Sequence, residues 1–148
     1  TEIQRLSEIT ETNITKNRQH FLMLHLPTTY QALVRQNITD DYSMGYADIA
    51  GFRAGTARSF PWFDLEKNDI TNLIIHPFSY MDGTLKEYLN LEPNEAKLKI
   101  AELFKEVCLH GGQFSYIWHN ETIGDYAHWD GWKDVFTYTF NLNQADFI

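Results

Sequence analysis

Hydrophobic positions along the chain switch between a period near 3.6 and a period near 2, and the switches mark out the elements. Ile3, Leu6 and Ile9 stand among charged residues, so residues 2–9 predict a short amphipathic helix. Residues 12–21 alternate weakly and read as a strand. Pro27 then opens a helix to about Gln36, with Tyr30, Leu33 and Val34 on one face and proline in the first turn, where it is tolerated. Residues 41–46 predict a second strand. Phe60-Pro-Trp-Phe-Asp64 is an aromatic segment whose proline discourages helix at Phe60. Asn72-Leu-Ile-Ile-His-Pro-Phe78 is almost wholly apolar, as expected of a strand covered on both faces. Met81-Asp-Gly-Thr-Leu85 leads into a short helix ending at Leu89. The clearest helix spans 93–109, opened by Pro93 and closed by Gly111-Gly112, with Ala96, Ile100, Leu103, Phe104, Val107 and Cys108 on one face. Residues 113–118 read as a fourth strand, and a last helix runs from near Asp130 to about Asn141.

Helices and strands in alternation predict an α/β fold with mainly parallel strands. The 148 residues suit a single α/β domain, or the C-terminal portion of a longer one, since the chain opens directly in a helical pattern. Four strands are few for a closed barrel, which needs about twice that number. The formal charge of −8 and the scattered Lys and Arg residues argue against a nucleic-acid partner. No apolar run approaches a membrane span, and no signal segment opens the chain, which favours the cytoplasm. Cys108 is the only cysteine, so neither an intrachain disulfide nor a cysteine metal site is expected, and a buried structural thiol is. The glycosylation-type triplets at Asn13, Asn37 and Asn120 carry no weight without evidence of secretion.

The stretch from Asp41 to Thr56 ends in a loop where Gly51 and Gly55 flank Arg53. Such a loop either holds a carboxylate or other anion, or is an ordinary glycine turn with a solvated arginine. His20, Arg53, His76 and His119 each sit where a predicted strand hands over to a loop. Parallel strands would bring them to one sheet edge, where open α/β folds bind ligands. His119, with Glu121 two residues on, suits a general acid or base; its bland alternative is a hydrogen-bonded strand-end histidine. The same alternative weighs more heavily on His76, and Arg18 with His20 is ambiguous. Asp82 reads equally as a turn and helix-capping residue. His25, His110 and His128 read as surface or packing residues. Trp118, Trp129 and Trp132 suit a sugar face or a core. No His-x-x-x-His, His-Glu-x-x-His, nucleophile elbow or phosphate loop is present.

Taken together, Gly51-Phe-Arg-Ala-Gly-Thr56, His76-Pro-Phe, Met81-Asp-Gly-Thr-Leu85 and Ile117-Trp-His-Asn120 resemble the later part of polysaccharide deacetylase-like proteins, the carbohydrate esterase family 4 group. Arg18-Gln-His-Phe-Leu22 also has a counterpart in a bacterial subgroup associated with cell-envelope polysaccharides. The resemblance runs from about Arg18 to Trp132. It implies the C-terminal part of a distorted (β/α) barrel and metal-dependent hydrolysis of N-acetyl groups on sugars. It also implies that Arg53 orients a catalytic-base aspartate and that His119 is the general acid toward the leaving amine. Arg18, His20, His76, Asp82 and Trp118 would then line the substrate-binding edge.

The chain departs from that family where the metal is held. The Asp-Asp pair and the His-x-x-x-His motif that supply the family's zinc-like divalent ligands are missing. Thr39-Asp-Asp41 matches the pair only in composition, Ala54-Gly55 replaces the usual proline, and Asp82 is a loose substitute for an Asp-x-x-Asp-Trp motif. No bound metal is therefore expected here, and the chain alone is expected to be inactive. The expected partners are a carbohydrate substrate and either a second copy of the chain or an N-terminal part of the same protein. The competing function is a non-catalytic module that binds glycan or docks a partner.

Overall fold

The computed structural model describes residues 2–124 and 126–147 and divides the chain into two units. The first unit takes the chain up to Ser43 together with Ser59–His76; the second takes Met44–Arg58 and everything from Pro77 onward.

In the first unit, helix α1 (Glu2–Thr10), strand β1 (Lys16–Asn17), helix α2 (Thr28–Arg35) and strands β2 (Asp40–Asp41), β3 (Phe60–Asp64) and β4 (Asp69–Ile75) follow in order. The sheet runs β1-β2-β4-β3, with β1–β2 and β2–β4 parallel and β3–β4 antiparallel. The protein is thus mixed α/β with a mostly parallel four-stranded sheet. Leu73 and Ile75 of β4 are fully buried, as are Tyr30 of α2 and, nearly so, Leu33. Helix α2 packs on β4, which hides the apolar face that the sequence period marks.

Two predicted strands contract to two residues each, and local side chains explain why. After Asp41, the Ser43 N–H donates to the Asp41 carboxylate at 2.9 Å, so a side chain takes a donor that a longer ladder would need. After Asn17, the Gln19 N–H donates to Ser43 Oγ at 2.8 Å, and a 3₁₀ turn, His20–Leu22, follows. The aromatic segment, left without an element in the sequence pattern, is a strand. Pro61 lies in β3 at the sheet edge, where its missing N–H leaves no ladder bond unmade, and the register shifts between Pro61 and Phe63.

The second unit is built on helices α3 (Pro93–His110) and α4 (Trp132–Phe140). Ala96, Ile100 and Leu103 of α3 are buried with Tyr80, Leu85, Trp129, Trp132 and Val135 in one apolar cluster, and Val107 is buried as well. Phe104 and Cys108 are only half-buried. The Glu92 N–H donates to Glu95 Oε2 at 2.9 Å at the start of α3, and Gly111 ends the helix with φ +75°. At Gly112 (φ +126°) a Cβ would lie 2.6 Å from the Ala57 carbonyl carbon, so glycine is required there.

Residues 113–118 form no strand of their own. Instead, Ser79 N–H donates to Ser115 O at 2.8 Å, Ile117 N–H to Tyr80 O at 3.0 Å and Asp82 N–H to Ile117 O at 3.0 Å. Met81 faces Ile117 in parallel register. The expected helix up to Leu89 is a single π-helical turn, Thr84–Tyr88.

Ile100 is fully buried while Leu98, two residues earlier on α3, is 68% exposed. Ile100→Ala should therefore destabilise the chain by ~2–5 kcal/mol and Leu98→Ala by no more than ~0.5 kcal/mol, read from denaturant midpoints.

Candidate active site

The parallel pairing of residues 79–82 with 115–117 ends both segments at the same edge of the second unit. Asp82 follows directly after Met81 and His119 two residues after Ile117, so the register brings them side by side. Asp82 is fully buried. Its Oδ1 accepts from Gly83 N at 2.8 Å and lies 2.6 Å from His119 Nδ1. Its Oδ2 accepts from the His119 backbone N–H at 2.8 Å and from the Thr122 hydroxyl. A carboxylate only accepts hydrogen bonds, so Nδ1 carries the proton in this contact and Nε2 is the nitrogen left for a ligand. The His119 side chain is 48% exposed. A buried acceptor that fixes the tautomer and angle of a half-exposed imidazole is the arrangement a general acid or base requires.

Thr122 is fully buried, and its N–H closes a turn onto the His119 carbonyl at 3.2 Å. Sequence reasoning passed over it; the one local signal is a hydroxyl three residues after His119. Asp82 proves to be far more than a turn residue. The adjacent Thr84, also fully buried, donates to Ala47 O at 2.7 Å, which ties the turn after Asp82 to the glycine-rich loop.

In that loop, the Gly55 N–H donates to Phe52 O at 2.8 Å and Gly55 takes φ +68°, so Arg53 rides on a tight turn. Its Nη1 donates to Gly45 O at 3.3 Å, and its guanidinium stands 5.7 Å from the Tyr46 ring centroid. Among the described residues no carboxylate pairs with Arg53. The tryptophans are core rather than platform: Trp129 is 6% exposed, Trp132 is fully buried, and half-buried Trp118 packs edge-on against Phe136 at 5.3 Å.

The first unit holds the remaining candidates, so the four strand-end groups divide as His20 with His76 and Arg53 with His119. His76 Nε2 lies 2.8 Å from Asp40 Oδ1, and Ser59 Oγ 2.8 Å from His76 Nδ1. Asp41 is fully buried and internally satisfied, accepting from Asn17, Tyr30 and both the hydroxyl and N–H of Ser43. Arg18 and His20 are exposed and line a groove of about 570 Å³ with Lys16, Leu6 and Gln36.

The described residues offer no cluster of three His, Cys, Asp or Glu side chains able to hold a metal ion. Their donor chemistry explains this: Asp41 and Asp82 spend their lone pairs on internal donors, and Asp40 is engaged by His76 and Thr39. A divalent ion does not fit this donor set. No described helix is long and apolar enough to cross a membrane. No family model, curated protein or solved structure matches the chain.

Thr39 Oγ1 donates to Asp40 Oδ2 at 2.7 Å, and this bond, followed by the one to His76, holds the Asp40 carboxyl below the ordinary carboxylate range. A group with a depressed folded pKa stabilises the fold above its unfolded value, near pH ~4, and that stability is lost as pH falls through the folded value. Asp40→Asn should thus be less stable than the parent at pH 7, with the gap closing below about pH 4. A gap that stays constant from pH 7 to pH 3 in denaturant titrations would show that Asp40 makes no such contribution.

Proposed function

We propose that this chain is a segment of a polysaccharide deacetylase-like hydrolase acting on N-acetylated sugars of a cell-envelope polysaccharide. Its fold would then be the C-terminal part of a distorted (β/α) barrel. The single observation that carries the reading is the buried Asp82 bound to Nδ1 of a half-exposed His119. In this role the protonated imidazole gives the Nε2 proton to the departing amine nitrogen as the C–N bond breaks, and Asp82 offsets the positive charge on the ring. Arg53, paired with no carboxylate among the described residues, is the cation that would orient an acidic group at the same centre. The chain thereby supplies the proton-donating half of the hydrolysis, and on its own it should release no acetate from an N-acetylglucosamine oligomer.

Imidazole ¹⁵N spectra test the dyad directly. Neutral His119 should carry its proton on Nδ1, and Asp82→Asn should mix the two tautomers. Addition of an N-acetylglucosamine oligomer should move the signals of His119 and of the Arg53 loop. Spectra that stay unchanged across a millimolar titration would overturn the proposal; acetate release by the chain alone with stoichiometric zinc would overturn the expectation that it is inactive by itself.

A second reading, a partner-docking or glycan-binding module, is favoured by a different observation. Phe21, Met23 and Leu26, between β1 and α2, are 84%, 62% and 50% exposed. Exposed apolar side chains so close in sequence favour association. On this reading light scattering should show dimers or larger species at high concentration, and a strictly monomeric protein would count against it.

A further inference from the structure

The sheet of the first unit assembles a second line of titratable and nucleophilic side chains, separate from Asp82 and His119. Antiparallel pairing sets Phe60 opposite Ile75, so the next residues outward, Ser59 and His76, face each other. Parallel pairing sets Asp41 beside Ile75 and Asp40 beside Ile74, so Tyr42 lies beside His76. The side chains follow the register. Ser59 Oγ is 2.8 Å from His76 Nδ1, and His76 Nε2 is 2.8 Å from Asp40 Oδ1. Tyr42 stacks on the imidazole, 4.4 Å between centroids and 9° from parallel. His76 and Asp40 are 14% and 25% exposed, while Ser59 is exposed.

The hydrogen bonds fix the tautomer. In the neutral ring Asp40 accepts from Nε2–H, which leaves the Nδ1 lone pair facing the Ser59 hydroxyl, and Ser59 then donates to it. The stacked Tyr42 holds the ring in that plane. Ser59 is exposed, so its hydroxyl is open to an electrophile.

We propose that Ser59 is an activated nucleophile that takes an acyl group from a small, unhindered ester, with His76 as its base and Asp40 as the group that orients the base. Ser59 Oγ bonds to the acyl carbon while its proton passes to His76 Nδ1. The tetrahedral adduct collapses, the C–O bond to the alcohol breaks, and the imidazolium returns the proton to the departing alkoxide. A water molecule then repeats the sequence, with Nδ1 as base, to release the carboxylic acid and free Ser59. The two ring nitrogens exchange the roles they hold in the familiar Ser-His-Asp arrangement, and it is the roles, not the atom names, that the chemistry requires.

A fluorophosphonate probe, read by intact mass and peptide mapping, tests this on the full chain. One adduct is expected, on Ser59 rather than on any of the other four serines, and Ser59→Ala should abolish it. Labelling should be about 10²-fold or more faster than that of an N-acetylserine amide, the usual effect of a positioned base. His76→Gln should remove most of that advantage. The rate against the free serine amide needs no variant, so it decides the matter even where His76→Gln fails to fold. No adduct, adducts spread over several serines, or a rate equal to that of the free amide would overturn the proposal.

Discussion

Asp82 has no exposure to solvent, and an ionised carboxylate in that position is tolerable only when donors replace the water it has lost. Two backbone amides, one imidazole and one hydroxyl do so. Those donors come from the turns after two chain segments, residues 79–82 and 115–117, and can converge only if the segments keep their parallel register. The carboxylate and the ladder therefore depend on each other. Loss of either leaves buried groups unpaired, a penalty of ~1–3 kcal/mol for each neutral group. The half-exposed imidazole is the outward end of this arrangement, so the interaction that organises the edge also presents its chemistry.

Among the described residues each unit contains one Asp–His pair, and the pairs use opposite ring nitrogens. His119 bonds its carboxylate through Nδ1, which leaves Nε2 for an incoming ligand. His76 bonds through Nε2, which leaves Nδ1, and Ser59 already occupies that position. The difference has a geometric cause. His119 receives Asp82 through both its own backbone N–H and the ring nitrogen nearer the backbone. His76 reaches sideways to a neighbouring strand, a distance only the distal nitrogen covers. The first pair is poised for an external substrate, the second for an internal hydroxyl.

Helices were legible in the sequence because their periods are long enough to average over. The faces of α2 and α3 are those that the apolar spacing marks, and Pro93 and Gly111 bound α3 as their backbone preferences require. Three of the four predicted strands were legible in place, though not in length or partner; residues 113–118 pair with 79–82 too briefly to make one. Ser43 spends its amide on Asp41, a side-chain competition that the alternation of 41–46 does not reveal. Pro61 spoke only against helix at Phe60 and is harmless at a sheet edge, so the antiparallel β3–β4 pair stayed hidden. Within the site, His119 stood out by its position after an aromatic segment. Asp82 looked like a turn residue because its partner lies 37 residues away, and Thr122 gave only a weak local cue. Trp129 and Trp132 were ambiguous by type, and burial resolves them as core.

Comparison of Asp40, Asp41 and Asp82 separates structure from chemistry. Asp41 accepts only from an amide, a phenol, a hydroxyl and a backbone N–H, none of which exchanges a proton near neutral pH. It holds β1, β2 and α2 together and has no outward end. Asp40 and Asp82 each contact an imidazole, the one side chain whose ordinary pKa lies near neutrality. Stability alone is served as well by the Asp41 pattern, because a buried carboxylate needs only donors. An imidazole among those donors adds a group that can take up or give away a proton while the carboxylate stays ionised. Where that imidazole is also half exposed, as His119 is, the proton has a route to a ligand. That combination, rather than the mere presence of a histidine at a strand end, distinguishes the His119 edge from the rest of the polar interior.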